Sequence, residues 1–434
     1  MAVSIVIVGA GPAGFYCAEA LIRKRADALI DIIDRLPTPH GLVRAGVAPD
    51  HQGTKAITRV FDRTAQKPNL RFLGNVSLGR DVSLAELQAN YDAVVLAFGA
   101  PRDRRLGVPG EELPGVFGSG AFVGWYNAHP DFADMAVELG AVRSAVVIGN
   151  GNVAIDVARV LAKTPAEMEK SDLAAHAAAV IHPAPLEEIH IVGRRGPIEA
   201  NFTNAELAEL GRLDRCIALV DKAQLPEAVA EVDQSLRKVK EANLATLQSF
   251  AGNSPAAKPV RLRLHFWTAP VALIGDRKIE AVRLERTRME GNHCVGTGDV
   301  FELAADLVVT CIGYQSVVPS GIPFDADRGT VRNADGRVAP GLYVVGWAKR
   351  GPSGVIATNR AESMAVADRI VAGLAPVAGK PGPAGLDSLL AARGVRPVSF
   401  ADWQRIDAAE VAAGGGGRPR RKFASLTDLL AALQ

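Results

Sequence analysis

Short runs of apolar, β-branched residues along this chain alternate with helix-length stretches and break at glycine. Val3 to Val8 predicts a strand, Gly9, Gly11 and Gly14 interrupt it, and Phe15 to Arg25 then carries helical spacing. Ala28 to Ile33 is a second strand, ending at Asp34. The same opening recurs mid-chain. Ser144 to Ile148 predicts a strand, Gly149 and Gly151 a turn, Val153 to Leu161 a helix, and Glu188 to Val192 a further strand running into Gly193-Arg194-Arg195-Gly196. Three more short strands stop at glycine: Ala93 to Ala97 before Gly99, Leu307 to Cys311 before Gly313, and Gly341 to Val345 before Gly346. Strands that end this way face a ligand at the carboxyl edge of an open α/β sheet. Gly373 to Gly385 reads as a surface linker, Leu386 to Arg393 and Ser425 to Leu433 as small helices, and Gly414 to Lys422 as a flexible, solvated basic loop.

Gly9-x-Gly11-x-x-Gly14 follows a strand and opens a helix. Its glycines allow a tight turn, backbone approach to a pyrophosphate, and close helix–strand packing. Asp34 lies 20 residues beyond Gly14, where a carboxylate accepts hydrogen bonds from a ribose. In the second motif, Gly149-Asn150-Gly151-Asn152-Val153-Ala154, an alanine takes the third glycine's place, and the next strand ends at Arg194-Arg195 rather than at an acid. Arginines suit a 2′-phosphate. Two such folds imply two dinucleotides, and FAD with NADP(H) is the simplest pairing. The expected class is therefore α/β, with two Rossmann-like dinucleotide-binding domains, the NADP domain inserted into the FAD domain. The FAD domain covers 1–105 and resumes over 318–434 with a C-terminal extension; 106–317 forms the NADP domain.

At 434 residues, 48% hydrophobic and 22% charged, the chain can bury a large core and is not disordered. A formal net charge of +2 gives no global field for nucleic acid. No run of about 20 apolar residues suggests membrane insertion. The four cysteines, at 17, 216, 294 and 311, include no C-x-x-C pair. That excludes a dithiol reductase, a zinc ribbon and a chain-borne iron–sulfur cluster. With no basic, cleavable leader at the start, a cytoplasmic protein is expected.

Four blocks carry a resemblance: Gly9 to Gly14 with Asp34; Gly41-Leu42-Val43-Arg44-Ala45-Gly46-Val47-Ala48-Pro49-Asp50-His51; Gly149 to Asp156 with Arg194-Arg195-Gly196-Pro197; and Gly346-Trp347-Ala348-Lys349-Arg350-Gly351-Pro352-Ser353-Gly354-Val355-Ile356. They resemble the adrenodoxin-reductase-like family of ferredoxin–NADP⁺ reductases, bacterial members in particular. The resemblance implies an enzyme that passes a hydride between nicotinamide and flavin N5 and single electrons between flavin and an iron–sulfur ferredoxin. It implies FAD contacts from Gly9, Gly11, Pro12, Ala13, Gly14, Asp34, Arg35, Gly41, Leu42, Val47, Gly99, Trp347, Gly354, Val355 and Ile356. NADP contacts would come from Asn150, Gly151, Asn152, Val153, Arg194, Arg195, Glu206 and Gly354. His51 and Glu206 are the catalytic pair it implies, orienting the carboxamide and relaying protons. Gln52, Glu199 and Asn201 depart from the family pattern. An acidic ferredoxin is expected to dock on Arg212, Arg215, Arg237, Lys238 and Lys240. Two other readings stay open: an electron-supplying subunit like that of glutamate synthase, and a non-catalytic redox-sensing flavoprotein.

Overall fold

The computed structural model describes residues 3–230, 232–291, 293–374 and 379–434. They form two compact units. One comprises the described residues up to Arg102, Asn127–Pro130, and Gly313 onward; the other comprises Asp103–Tyr126 and Asp131–Ile312.

In the first unit a seven-stranded sheet runs Arg337–Ala339, Leu342–Val344, Ala93–Leu96, Ser4–Val8, Leu29–Ile33, Leu70–Gly74, Val398–Ser399. The five inner strands are parallel and the two edge strands antiparallel. Strand residues alternate faces, so Ile5, Ile7, Ile30 and Ile32 enter one core with Phe15 and Leu21, while Val6, Val8, Ile33, Val94 and Leu96 enter another. Burial on both faces makes these strands mostly apolar; Asp31, buried within Leu29–Ile33, is paired with Arg71 of the neighbouring strand. The helix Pro12–Lys24 has Pro12 in its first turn and Arg23 and Lys24 in its last, in keeping with proline's fixed φ and the helix dipole.

The second unit has a six-stranded parallel sheet in the order Val116–Gly118, Leu307–Thr310, Ser144–Ile148, Glu188–Val192, Val260–His265, Cys216–Val220. A three-stranded antiparallel sheet, Thr268–Ile274, Ala281–Glu290, His293–Ala304, follows the fifth of these.

The structure corrects several expectations. The division falls at 102/103 and 312/313, a few residues before 105 and 317. Asp103 already accepts hydrogen bonds from the Gly120 and Ala121 amides (2.7 and 3.2 Å) in the second unit. Ser316 donates to the Gly99 carbonyl (2.8 Å) in the first. Of the linker expected over 373–385, residues 375–378 lie outside the described residues, and Pro383 already starts the helix Pro383–Ala392. Nor is the basic loop simply solvated. Arg420 pairs with Asp407, and Lys422, 8% exposed, donates to the Arg44 carbonyl at 2.9 Å.

Candidate functional site

In the first unit the parallel strands carry Gly9, Asp34, Gly99 and Gly346 to their carboxyl ends. Gly11 is the N-cap of the helix Pro12–Lys24, and no side chain caps it. The amides of its first turn, including that of Ala13, are therefore donors for an anion. Gly14 closes the turn from beneath: a Cβ there would sit 2.1 Å from the Gly9 carbonyl oxygen. Gly41 comes from the next strand's connection to face Gly11, and a Cβ on Gly41 would sit 3.0 Å from the Gly11 Cα. Two bare backbones thus form a cradle that any side chain would fill, which suits a pyrophosphate.

Asp34 is half-buried, and its oxygens accept from the Ala10 amide at 2.8 Å and the Leu36 amide at 3.0 Å. Burial raises its pKa, and the Leu36 and Ala10 amides work against that rise. Besides offering lone pairs to a ribose, then, Asp34 ties the glycine turn to its own strand end. Arg35 beside it is exposed, as is Leu42, while Val47 and His51 are half-buried. Trp347 stacks on Tyr314 at 5.7 Å and donates from Nε1 to the Ser353 carbonyl at 3.2 Å. Gly354 and Val355 are exposed and Ile356 half-buried; the Val355 amide donates to Thr358 at 3.1 Å.

Sequence reasoning missed Glu362. Its carboxylate accepts from the Gly346 amide (3.1 Å), Lys349 (2.9 Å) and Arg350, and so shapes the Gly346–Arg350 turn. The cations of the W-A-K-R string hinted at an acid, but nothing local said where it lay.

In the second unit Gly151 is the N-cap of the helix Asn152–Ala162, again without a side-chain cap. The Asn150 side chain lies over Gly193, and neither of its buried amide atoms has a partner among the described residues. An orphaned buried amide next to a free helix N-terminus fits a bound dinucleotide. Asn152 accepts from the Thr203 amide (2.8 Å), Val153 is half-buried, and Ala154 is fully buried in the third glycine's place. Arg194 and Arg195 are exposed. Among the described residues neither guanidinium has an ion pair. Glu199 is exposed as well, and its charge acts on Lys240. Glu206 sits half-buried in the short helix Asn204–Glu209, which Thr203 caps. His51 belongs to the first unit and Glu206 to the second.

Three of the five cations expected to dock a ferredoxin are engaged with backbone carbonyls. Arg215 donates to the Leu161 and Ala162 carbonyls that end a helix, and Lys240 donates to the Ala200 carbonyl (2.7 Å). Arg212, Arg237 and Lys238 are exposed, although Arg237 also donates to the Val229 carbonyl at 3.1 Å and lies 3.8 Å from Glu241.

Two α/β units, each presenting an uncapped helix N-terminus at the carboxyl edge of a parallel sheet, define a dinucleotide-binding oxidoreductase. Residues 3–209 match the pyridine nucleotide-disulphide oxidoreductase family. The chain is 43% identical to the NADPH-ferredoxin reductase FprA of Mycobacterium tuberculosis, over 98% of each chain. It is 41% identical to the human mitochondrial NADPH:adrenodoxin oxidoreductase, over 98% of this chain and 91% of that one. The solved structure of M. tuberculosis FprA in complex with NADPH aligns with a TM-score of 0.94 at 41% identity, covering 100% of both chains. The chain belongs to the adrenodoxin-reductase-like family of NADPH–ferredoxin reductases.

Proposed function

We propose that this chain is an NADPH–ferredoxin reductase, with FAD held by the first unit and NADP(H) by the second. The observation that carries the reading is the contrast between two otherwise equivalent turns: the strand after the first motif ends in Asp34, the strand after the second in two arginines that have no ion pair among the described residues. A carboxylate there suits a ribose hydroxyl, whereas paired guanidiniums suit a 2′-phosphate.

In the first unit Gly9, Gly11, Pro12, Ala13 and Gly14 hold the FAD pyrophosphate against the helix dipole, with Gly41 and Gly99 lining the same edge. Asp34 accepts from the ribose, and Arg35 lies at the adenosine end. Leu42, Val47 and the Gly354-Val355-Ile356 backbone exclude water from the ring, and Trp347 covers it. Bound there, FAD supplies the junction between two-electron nicotinamide chemistry and one-electron iron–sulfur chemistry. In the second unit Asn150, Gly151, Asn152 and Val153 hold the NADP(H) pyrophosphate, and Arg194 and Arg195 read the 2′-phosphate. His51 and Glu206 orient the nicotinamide carboxamide and hold protons at an imidazole nitrogen and a carboxylate oxygen. The hydride itself needs no protein base.

The electron partner is a ferredoxin. We assign the protein to the cytoplasm. Its four cysteines are free thiols, as in a reducing compartment, and no described helix is long and apolar enough to cross a membrane. The test is NADPH-driven reduction of the organism's own ferredoxins, one at a time, by the purified yellow protein. Multiple turnovers with at least one ferredoxin are expected. A colourless protein that takes up no FAD, or one that reduces none of them, would overturn the reading.

A further inference from the structure

We infer that the antiparallel sheet of the second unit is a specificity element, in which Thr287 and Cys294, with Trp267 just ahead of the first strand, are positioning residues for the Arg194-Arg195 turn. The inference rests on the reading that this turn recognises the 2′-phosphate.

Both guanidiniums are exposed, and among the described residues no ion pair or side-chain hydrogen bond aims them. Long cationic side chains lose much rotamer freedom on binding. What pre-organises them is the direction in which their backbone launches them, and that backbone is fixed from one side. Three successive carbonyls are held. Gly193 accepts from the Thr268 amide at 3.0 Å and Arg195 from the Trp267 amide at 3.2 Å. Arg194 accepts twice, from the Thr287 hydroxyl at 2.7 Å and the Cys294 thiol at 2.8 Å. With its carbonyls turned into the sheet, the turn presents its side chains outward.

The donors belong together. Thr287 pairs in register with Gly296, and Cys294 lies two residues from Gly296 on the same strand. Strand residues two apart share a face, so hydroxyl and thiol converge on one oxygen. Thr287 is 8% exposed, and its own amide donates to the Trp267 carbonyl at 2.9 Å, which links the anchors. Trp267 adopts φ +52°, a conformation uncommon for any residue but glycine. Its ring covers Gly196, where a Cβ would sit 2.2 Å from Trp267 Cζ2. The turn is thus held by its carbonyls and pressed from the side.

A contact that merely supports the fold serves NADPH and NADH alike. One that aims the arginines matters only to the nucleotide that carries the phosphate. The experiment compares kcat/KM for NADPH and NADH, with ferricyanide as acceptor, in the FAD-loaded full chain. The variants are Thr287→Val, Cys294→Ala, the double variant and Thr287→Ser. Each lost neutral hydrogen bond should lower the NADPH/NADH ratio roughly two- to tenfold. The loss should appear in KM for NADPH, with kcat and both NADH constants unchanged, and Thr287→Ser should restore the ratio. Should Thr287→Val not fold, Cys294→Ala decides alone. If the wild type prefers NADPH but the ratio stays put, or if both nucleotides lose efficiency in parallel, the inference falls and the arginine reading stands. A wild type without NADPH preference overturns both.

Discussion

Loss of Glu410 should cost the first unit heavily. Its side chain is wholly buried and accepts two hydrogen bonds from Arg44, at 2.8 and 2.5 Å, while the Arg44 side chain is 10% exposed. The Phe423 amide donates to the same carboxylate at 2.8 Å. Arg44 also lies over the Trp403 ring, 5.2 Å from its centroid. In Glu410→Gln the amide oxygen can still accept from Phe423, but the charge opposite a buried guanidinium is gone. Breaking one side of a buried pair costs about 3–5 kcal/mol, and the retained acceptor places this variant at about 3. For a folding unit of this size that lowers Tm by roughly 6–12 °C, at about 2–4 °C per kcal/mol. Flavin should go with it, because Arg44 lies in the helical turn Leu42–Ala45 that Gly41 opens against Gly11. The assay is thermal unfolding followed by FAD fluorescence, which rises as flavin is released. A double variant, Arg44→Met with Glu410→Gln, keeps the acceptor for the Phe423 amide and should melt above Glu410→Gln alone, because no buried charge is left uncompensated. Were Glu410→Gln to melt within about 2 °C of wild type and keep its flavin, the pair would not hold the flavin turn.

Three further outcomes follow from the geometry. Arg194→Ala and Arg195→Ala should each lower the NADPH/NADH efficiency ratio about ten- to a hundredfold, as expected for charge-assisted bonds of roughly 1.5–3 kcal/mol; Glu199→Gln, at an exposed site whose charge acts on Lys240, should leave the ratio equal or higher. Gly14→Ala puts a Cβ 2.1 Å from the Gly9 oxygen and should yield a colourless protein, checked by absorbance at the flavin band. His190 and His265 share a 3.0 Å hydrogen bond, and burial foremost lowers their pKa values to about 4 and about 3 from 6.5. A depressed folded-state value means the unfolded chain takes up protons first as pH falls. Stability is therefore intact above pH 6.5 and lost as pH drops toward 4; Tm measured across that window should fall less in His190→Gln/His265→Gln than in wild type.

What the sequence made legible was set by nearby residues. Glycines at 9, 11 and 14, an acid 20 residues on, and arginines at the tip of the matching strand all follow from chain period and turn geometry within one βαβ unit. Even Ala154 was readable, since the second motif keeps its spacing and buries that methyl completely. What was not legible depends on partners far along the chain. Glu410 is 366 residues from Arg44, and Cys294 is 100 from Arg194. Cations misled for the same reason. Arg215 and Lys240 read as part of a docking patch and Lys422 as solvated charge, yet each donates to a backbone carbonyl of a distant segment. Sequence near a charge cannot show which carbonyls it will meet, because a long basic side chain can bury its stem and still satisfy its head. The residues proposed to contact the cofactors are therefore spelled out by local motif, while those that hold the motifs in place are scattered. Substitutions in the second group should leave the chemistry intact and change how firmly, or how selectively, each nucleotide is held.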